Sequence, residues 1–110
     1  MTREEATERI TKAIVEHYAP EQVYLIGSTA RGEARPDSDI DFVVVVPDDT
    51  PNEVFWNGEF WNSIRGIGYG VDIVPFYARD FEKRSTWLMS IPAIALREGR
   101  LLYEAKAVPA

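Results

Sequence analysis

The chain contains no cysteine among its 110 residues, which excludes disulfides, thiolate metal sites and cysteine nucleophiles. Histidine is scarce as well, since His17 is the only one. No apolar run approaches the roughly 18 residues that a membrane-spanning helix needs, and the acidic start is unlike a signal peptide. Lys and Arg number 12 against 18 Asp and Glu, which disfavours direct binding to duplex nucleic acid. We therefore expect a cytoplasmic protein without membrane contacts.

The length of the chain predicts one domain over residues 1–110, because a chain of this size supports a single hydrophobic core. Its negative charge is concentrated in residues 21–60, which carry nine acidic and two basic residues. Residues 61–110 carry five acidic and seven basic residues. An acidic solvent-facing surface and a cation-binding site are both compatible with this distribution, and the positions of the acids have to decide between them.

Hydrophobic patterning predicts helices and strands in alternation. Helices are expected over 3–17, 52–64 and 80–97, the last interrupted before Pro92, and strands over 22–26, 40–46, 71–77 and 101–103. We expect Thr2 and Glu5 to cap the first helix, and Pro75 to mark either an edge strand or a β-bulge. The order predicts an α+β (α/β layered) fold, a small mixed sheet flanked by helices.

The aromatic residues of the second half are expected in the core. Helical spacing puts Trp56, Phe60 and Ile64 on one stripe of the helix predicted over 52–64. Phe55, Trp61 and Trp87 are also assigned to the core, as the simplest place for large aromatic side chains, with a partner interface as the alternative for any that is exposed. His17, on the apolar stripe of the first helix, is expected to pack there, and the glycine-rich residues 66–70 are expected to be a flexible connection.

Gly27 and Ser28 stand where the first predicted strand ends. A glycine at such a turn lets the backbone bend tightly and lets a ligand approach the main chain. Ser28 is expected to cap a short helix, whose first N–H groups can bind an anion, and Arg31 adds a charged donor for phosphate oxygens. A Gly-Ser turn of this kind is more often a cap alone, so both interpretations remain open here.

Three aspartates begin two later strands. Asp39 and Asp41 lie at positions i and i+2, which point to one face of a strand. Two such carboxylates repel each other unless a cation lies between them, although they can instead face solvent or pair with Arg31 and Arg35. Asp72 interrupts an apolar strand, either as an edge charge facing water or as a third carboxylate. If its strand lies beside that of Asp41, the three acids can hold one or two Mg²⁺ ions.

The segment from Gly27 to Asp41 reads Gly-Ser, ten residues, Asp-x-Asp. This spacing resembles the signature of the polymerase-beta-type nucleotidyltransferase superfamily. The Ala-Arg-Gly at residues 30–32 and the Ser-Asp-Ile-Asp at residues 38–41 are similar to those of the minimal nucleotidyltransferases, the MNT antitoxin family, and so is the third acid in Val-Asp-Ile-Val at residues 71–74.

The resemblance implies a polymerase-beta-like fold with defined roles for the site residues. Gly27 and Ser28 would hold the triphosphate of ATP, with Arg31 as a helper. Asp39 and Asp41 would bind the Mg²⁺ that carries the nucleotide, and both would join Asp72 around a second Mg²⁺. Asp72 would also take the proton of the acceptor hydroxyl.

The resemblance also implies a substrate and a partner. AMP would pass from ATP to a hydroxyl on a partner protein, a helical HEPN-type toxin that forms a complex with this chain. Larger relatives carry a further helical domain for the acceptor, and the shortness of this chain makes us expect that the acceptor contacts this domain directly or is supplied by a partner protein. Two alternatives stand beside this hypothesis: a non-catalytic antitoxin that acts by binding, and an aminoglycoside-type transferase that modifies a small molecule.

Overall fold

Helices and strands alternate in the computed structural model, which describes residues 1–56 and 58–106. The helices are α1 (Arg3–Tyr18), α2 (Gly27–Ala30), α3 (Gly58–Ser63), α4 (Ala78–Arg84) and α5 (Ile91–Glu98). The strands are β1 (Gln22–Ile26), β2 (Ile40–Val46), β3 (Val71–Tyr77) and β4 (Arg100–Glu104), and one 3-10 turn covers Asn52–Phe55. The predicted α+β fold with a small mixed sheet is confirmed.

The four strands form one sheet in the order β3-β2-β1-β4. β2 and β3 run parallel, whereas β1 is antiparallel to both of its neighbours. Because β1 and β2 run in opposite directions, the last residue of β1 meets the beginning of β2, and Ile26 pairs with Asp41. Pro75 lies on the edge strand β3, as its missing N–H predicts.

The two faces of the sheet are covered by different helices. The face formed by Phe42, Val44 and Val46 of β2 packs against α1 and α3 in one buried cluster. The opposite face, with Val43 and Val45, packs against α4 and α5. The predicted apolar character of β2 on both sides is therefore confirmed, and it fits a central strand.

Helix α1 begins where its capping box predicts. The Thr2 hydroxyl accepts a hydrogen bond from the Glu5 N–H at 3.1 Å, and the Glu5 carboxylate accepts one from the Thr2 N–H at 2.9 Å. This pair satisfies two of the N–H groups that a helix start leaves without partners. His17 packs near the other end of α1, where its Nε2 lies 2.9 Å from the carbonyl oxygen of Val54.

One of the predicted helices is wrong in its extent. The segment predicted over 52–64 forms the 3-10 turn and then α3, and its residue 57 lies outside the described residues. The backbone of Trp56 is not helical, so the expected stripe is broken there and its side chain is 84% exposed. The segment predicted over 80–97 forms α4 and α5, and its predicted interruption before Pro92 is confirmed, because Ser90 caps a new helix by accepting from the Ala93 N–H at 3.1 Å.

The core assignment of the tryptophans is also wrong. Trp61 and Trp87 are about half exposed, beside the largely exposed Trp56. Phe60 is buried and Phe55 is partly buried, as expected. Among the described residues, no helix is long and apolar enough to cross a lipid bilayer.

Candidate active site

Asp41 and Asp72 are direct neighbours across the parallel pair of strands. Their Cα atoms are register partners between β2 and β3. Side chains at partner positions of parallel strands point to the same face, and the strands lie about 4.8 Å apart. The predicted convergence of Asp72 with the β2 carboxylates is therefore present in this pair, on the face of the sheet that α4 and α5 cover further along.

Partial burial and neighbouring negative charge both act on Asp41. Its pKa is raised above the ordinary value, first by burial, then by a hydrogen bond with the Asp72 carboxyl and by the negative charges of Asp72 and Asp39. A cation bound between neighbouring carboxylates favours their charged form, so the site as it stands would gain from a positive ligand.

Asp39 lies one step before β2, on the same side as Asp41. Its carboxylate is exposed and lies against the Cα atom of Gly70, where any added Cβ atom would collide with Asp39 Oδ1. The Gly70 carbonyl accepts a hydrogen bond from the Ile40 N–H at 2.9 Å, which begins the parallel ladder. Gly70 is therefore a site residue that the sequence reasoning missed when it assigned residues 66–70 to a flexible connection.

The turn after β1 approaches Asp41 from the other side. Gly27 has a φ of +75°, and a Cβ atom built on it would lie 2.6 Å from Asp41 Oδ2. Only glycine combines this left-handed backbone with the close approach of the carboxylate. Gly27 thus does more than allow a bend, because it leaves room for Asp41 itself.

Ser28 does not cap α2, contrary to the expectation. The helix starts at Gly27, and Ile26 holds the cap position without a side-chain hydrogen bond. Ser28 is therefore the second residue of the turn. Its hydroxyl forms no hydrogen bond with any group in residues 1–56 and 58–106. The hydroxyl remains available for a ligand beside the carboxylates.

Arg31 ends α2 and forms an ion pair with Glu33 at 3.4 Å, with both side chains well exposed. It is the one ion pair in the described part of the chain. The alternative in which Asp39 and Asp41 are neutralised by Arg31 and Arg35 is therefore not what the structure contains. Neither carboxylate has a basic partner among the described residues.

The three aspartates fit Mg²⁺ better than a metal that needs a closed protein cage. No group of three or more His, Asp or Glu side chains in the described residues is close enough to hold a metal ion. The pKa of Asp41 nevertheless responds to both other carboxylates. Mg²⁺ usually takes one or two protein carboxylates and completes its shell with water and phosphate oxygens.

A search for the active site by apolar grooves alone would select a different part of the surface. A groove of about 430 Å³ lies between α1 and β4, lined in part by Thr11, Val15 and Leu102. It contains none of Gly27, Ser28, Arg31 or the three aspartates. The convergence of like charges is thus the better guide to the site in this molecule.

The comparisons with known proteins agree with this geometry. The nucleotidyltransferase domain family matches residues 7–94, which include all of the predicted site residues. This match covers most of the chain, so the chain belongs to the nucleotidyltransferase domain family. No curated protein matches it.

Solved structures share the fold. A candidate nucleotidyltransferase from Sulfolobus solfataricus is 22% identical, with a TM-score of 0.58 over 91% of this chain and 78% of its own. A toxin–antitoxin structure with AMP-PNP is 24% identical, with a TM-score of 0.62 over 90% of this chain and 73% of its own. A mutant of the MntA–HpeT toxin–antitoxin is 19% identical, with a TM-score of 0.61 and the same coverage. At these identities the likeness establishes the fold alone.

Proposed function

We propose that this chain is a Mg²⁺-dependent adenylyltransferase that moves AMP from ATP to a hydroxyl group of a partner protein. The observation that carries the proposal is the registered pair of Asp41 and Asp72, with Asp39 beside it and the Gly27–Ser28 turn facing it. This arrangement joins a negative cluster that favours a divalent cation to a turn that can approach phosphate oxygens.

Each residue has a separate part in the proposed reaction. The bond between the acceptor oxygen and the α-phosphorus forms, the bond between the α-phosphorus and its bridging oxygen breaks, and pyrophosphate leaves. Asp72 accepts the acceptor proton. Gly27 and Ser28 hold the triphosphate through the backbone and the free hydroxyl, and Arg31 adds a charge once it leaves Glu33. When bound by Asp39, Asp41 and Asp72, two Mg²⁺ ions would neutralise the developing charge and activate the acceptor.

A protein acceptor is supported by the openness of the site. Asp39 and Asp72 are exposed, so a large acceptor can reach them without entering a cavity. Trp56, Trp61 and Trp87 are exposed on separate elements, and each is a candidate contact for the partner. The likeness to two toxin–antitoxin structures favours a toxin as the partner, with this chain as its antitoxin. A cytoplasmic HEPN-type toxin and a tyrosine hydroxyl as the acceptor are the finer parts of the proposal, and they rest on the resemblance of the motif alone.

The test is label transfer. The chain is incubated with Mg²⁺, α-labelled ATP and the helical protein encoded beside it, and the same is done with Asp39→Asn/Asp41→Asn. We expect label on the partner with the wild type and none with the double variant. Asp37→Asn is the matched control, since Asp37 is an exposed acid in the same loop with no described side-chain contact.

The other outcomes separate the alternatives. Neutralisation of the partner without label, unaffected by the Asp39 and Asp41 substitutions, would identify a binding antitoxin and contradict the catalytic proposal. Label on a small hydroxylated molecule and on neither protein would identify a small-molecule transferase. Equal label with the wild type and the double variant would refute the assignment of the carboxylates.

A further inference from the structure

Arg3 lies in the first turn of α1, outside the motif, and its guanidinium reaches the loop that precedes Asp39. Its Nη1 donates to the Ser38 carbonyl at 2.9 Å, and its Nη2 donates to the Arg35 carbonyl at 2.7 Å. A longer contact of 3.5 Å joins Nη2 to the Pro36 carbonyl. The guanidinium therefore holds both ends of the segment from Arg35 to Ser38, directly before the first proposed metal ligand.

The same guanidinium contacts the turn that follows β1. Nη1 also lies 3.2 Å from Thr29 Oγ1, and that hydroxyl donates to the Asp39 carbonyl at a long 3.4 Å. A hydroxyl that accepts from a cation becomes a better donor, since hydrogen bonds in a chain polarise one another. Arg3 is thus linked to Asp39 by two routes, through the preceding carbonyl and through Thr29.

A third segment meets the other side of the guanidinium. The Arg3 Cζ atom lies 4.8 Å from the centre of the Tyr69 ring, within cation–π distance. Tyr69 precedes Gly70, whose Cα atom lies against the Asp39 carboxylate, and Asp72 follows two residues later. One side chain therefore contacts the segments that lead into Asp39 and Asp72, as well as the turn that begins with Gly27.

The segment before Asp39 depends on such contacts. Residues 33–39 form no helix or strand. Within the segment, the Ser38 N–H donates to the Arg35 carbonyl and the Arg35 N–H donates to Ser38 Oγ, both at 2.9 Å. These bonds close the turn on itself but do not fix it against the sheet. Arg3 supplies that attachment, because its planar group presents several donors in a fixed geometry.

We propose that Arg3 is a positioning residue that sets the place of Asp39 relative to Asp41 and Asp72, and thereby the divalent-cation affinity of the site. It touches neither substrate nor metal. The proposal rests on the proposed function, in which Asp39 is a metal ligand. It predicts that loss of the guanidinium weakens cation binding even where the protein stays folded.

The experiment measures Mn²⁺ binding by electron paramagnetic resonance in the presence of α,β-methylene-ATP, which cannot release pyrophosphate. We expect Arg3→Met to raise the Mn²⁺ dissociation constant about 10- to 100-fold, as loss of an outer-shell partner usually does. Arg3→Lys keeps the positive charge but loses the planar guanidinium with its several donors, so we expect an intermediate Mn²⁺ dissociation constant. Arg9→Met is the matched control, since Arg9 is exposed on the same helix and has no described side-chain contact.

Thermal unfolding and hydrogen exchange separate positioning from stability alone. Faster exchange of the Ser38 amide in folded Arg3→Met would accompany the weaker Mn²⁺ binding. If Arg3→Met is less stable but its folded fraction binds Mn²⁺ like the wild type, Arg3 is only structural and the proposal is overturned. If Arg3→Met does not fold, Arg3→Lys and Thr29→Val decide, and wild-type Mn²⁺ affinity in both overturns it.

Failure of the proposed function gives a different pattern. A wild-type chain that binds no Mn²⁺ at all contradicts the metal assignment of the three aspartates. In that case unchanged Ser38 exchange in Arg3→Met would contradict the positioning role as well. Faster exchange would show that Arg3 orders the loop for some ligand other than a divalent cation, which would overturn the proposal in its metal-binding form.

Discussion

Gly27→Ala tests whether the turn after β1 exists to make room for Asp41. The new methyl group would meet two obstacles. Its backbone has a φ of +75°, which costs a residue with a Cβ atom about 1–2 kcal/mol. The Cβ atom would also lie 2.6 Å from Asp41 Oδ2, so the carboxylate or the turn must move by about 1 Å to reach ordinary contact distance.

These two effects have different signatures in experiment. Backbone strain lowers stability, and we expect the Tm to fall by about 5–10 °C for a domain of this size. Displacement of a reacting group by about 1 Å lowers the rate about 100-fold. Circular dichroism measures the first effect. The rate of label transfer measures the second, and so does the rise in Tm when Mg²⁺ and α,β-methylene-ATP are added, which depends only on binding.

The chain offers matched controls for each effect. Gly32 has a φ of +73° with nothing within 4 Å of its built Cβ atom, so Gly32→Ala carries the strain without the collision. Gly70 lacks the left-handed backbone, yet its Cβ atom would collide with the Asp39 carboxylate. We expect Gly32→Ala to lose stability and keep activity, and Gly70→Ala to lose activity. Equal activity of Gly27→Ala and Gly32→Ala would refute the reasoning.

Three further changes have expected outcomes. Because the pKa of Asp41 is raised in the folded state, its ionisation opposes folding as the pH rises above the ordinary range of a carboxyl group. Without metal, Asp41→Asn should therefore be more stable than the wild type near neutral pH, and urea titrations should show this advantage shrinking on acidification. An advantage that grows on acidification would contradict the raised pKa. Thr2→Ala removes half of the capping box and should lower the unfolding free energy by about 1 kcal/mol, with label transfer unchanged. Trp56→Ser should change that free energy by less than about 0.5 kcal/mol because the ring is exposed, whereas a pull-down with the partner should weaken if the ring lies in the interface.

The strands and the motif were predictable because their signals are local. Apolar composition predicts both β1 and β2, and the spacing from Gly27 to Asp41 is read directly from the sequence. From the sequence, the pairing of Asp41 with Asp72 could be predicted only on the condition that their strands are neighbours in the sheet, because no local pattern identifies neighbouring strands. The parallel register supplied the missing condition.

The residues that sequence reasoning missed all act across long separations. Arg3 contacts carbonyl groups more than 30 residues away, and Gly70 is required by a carboxylate on another strand. A conformational reason for glycine is local, but a steric one is visible only after folding. The one available signal was the position of Gly70 two residues before Asp72. The prediction that Trp56 is buried was wrong for a related reason, because helical spacing places residues on one face only where the backbone is helical.

The parallel pairing of β2 and β3 has a consequence for how such a chain can change. The crossover over residues 47–70 supplies neither Asp41 nor Asp72, but its α3 packs in the core and its Gly70 lies against Asp39, so insertions leave the pairing intact only outside those parts. A shift of β3 by a single residue would instead turn Asp72 toward the α1 side and set an apolar side chain opposite Asp41. The exposed turns of the crossover, outside α3 and Gly70, are therefore the places where new acceptor-binding loops can be inserted, by evolution or by engineering, while the register of β3 must stay fixed.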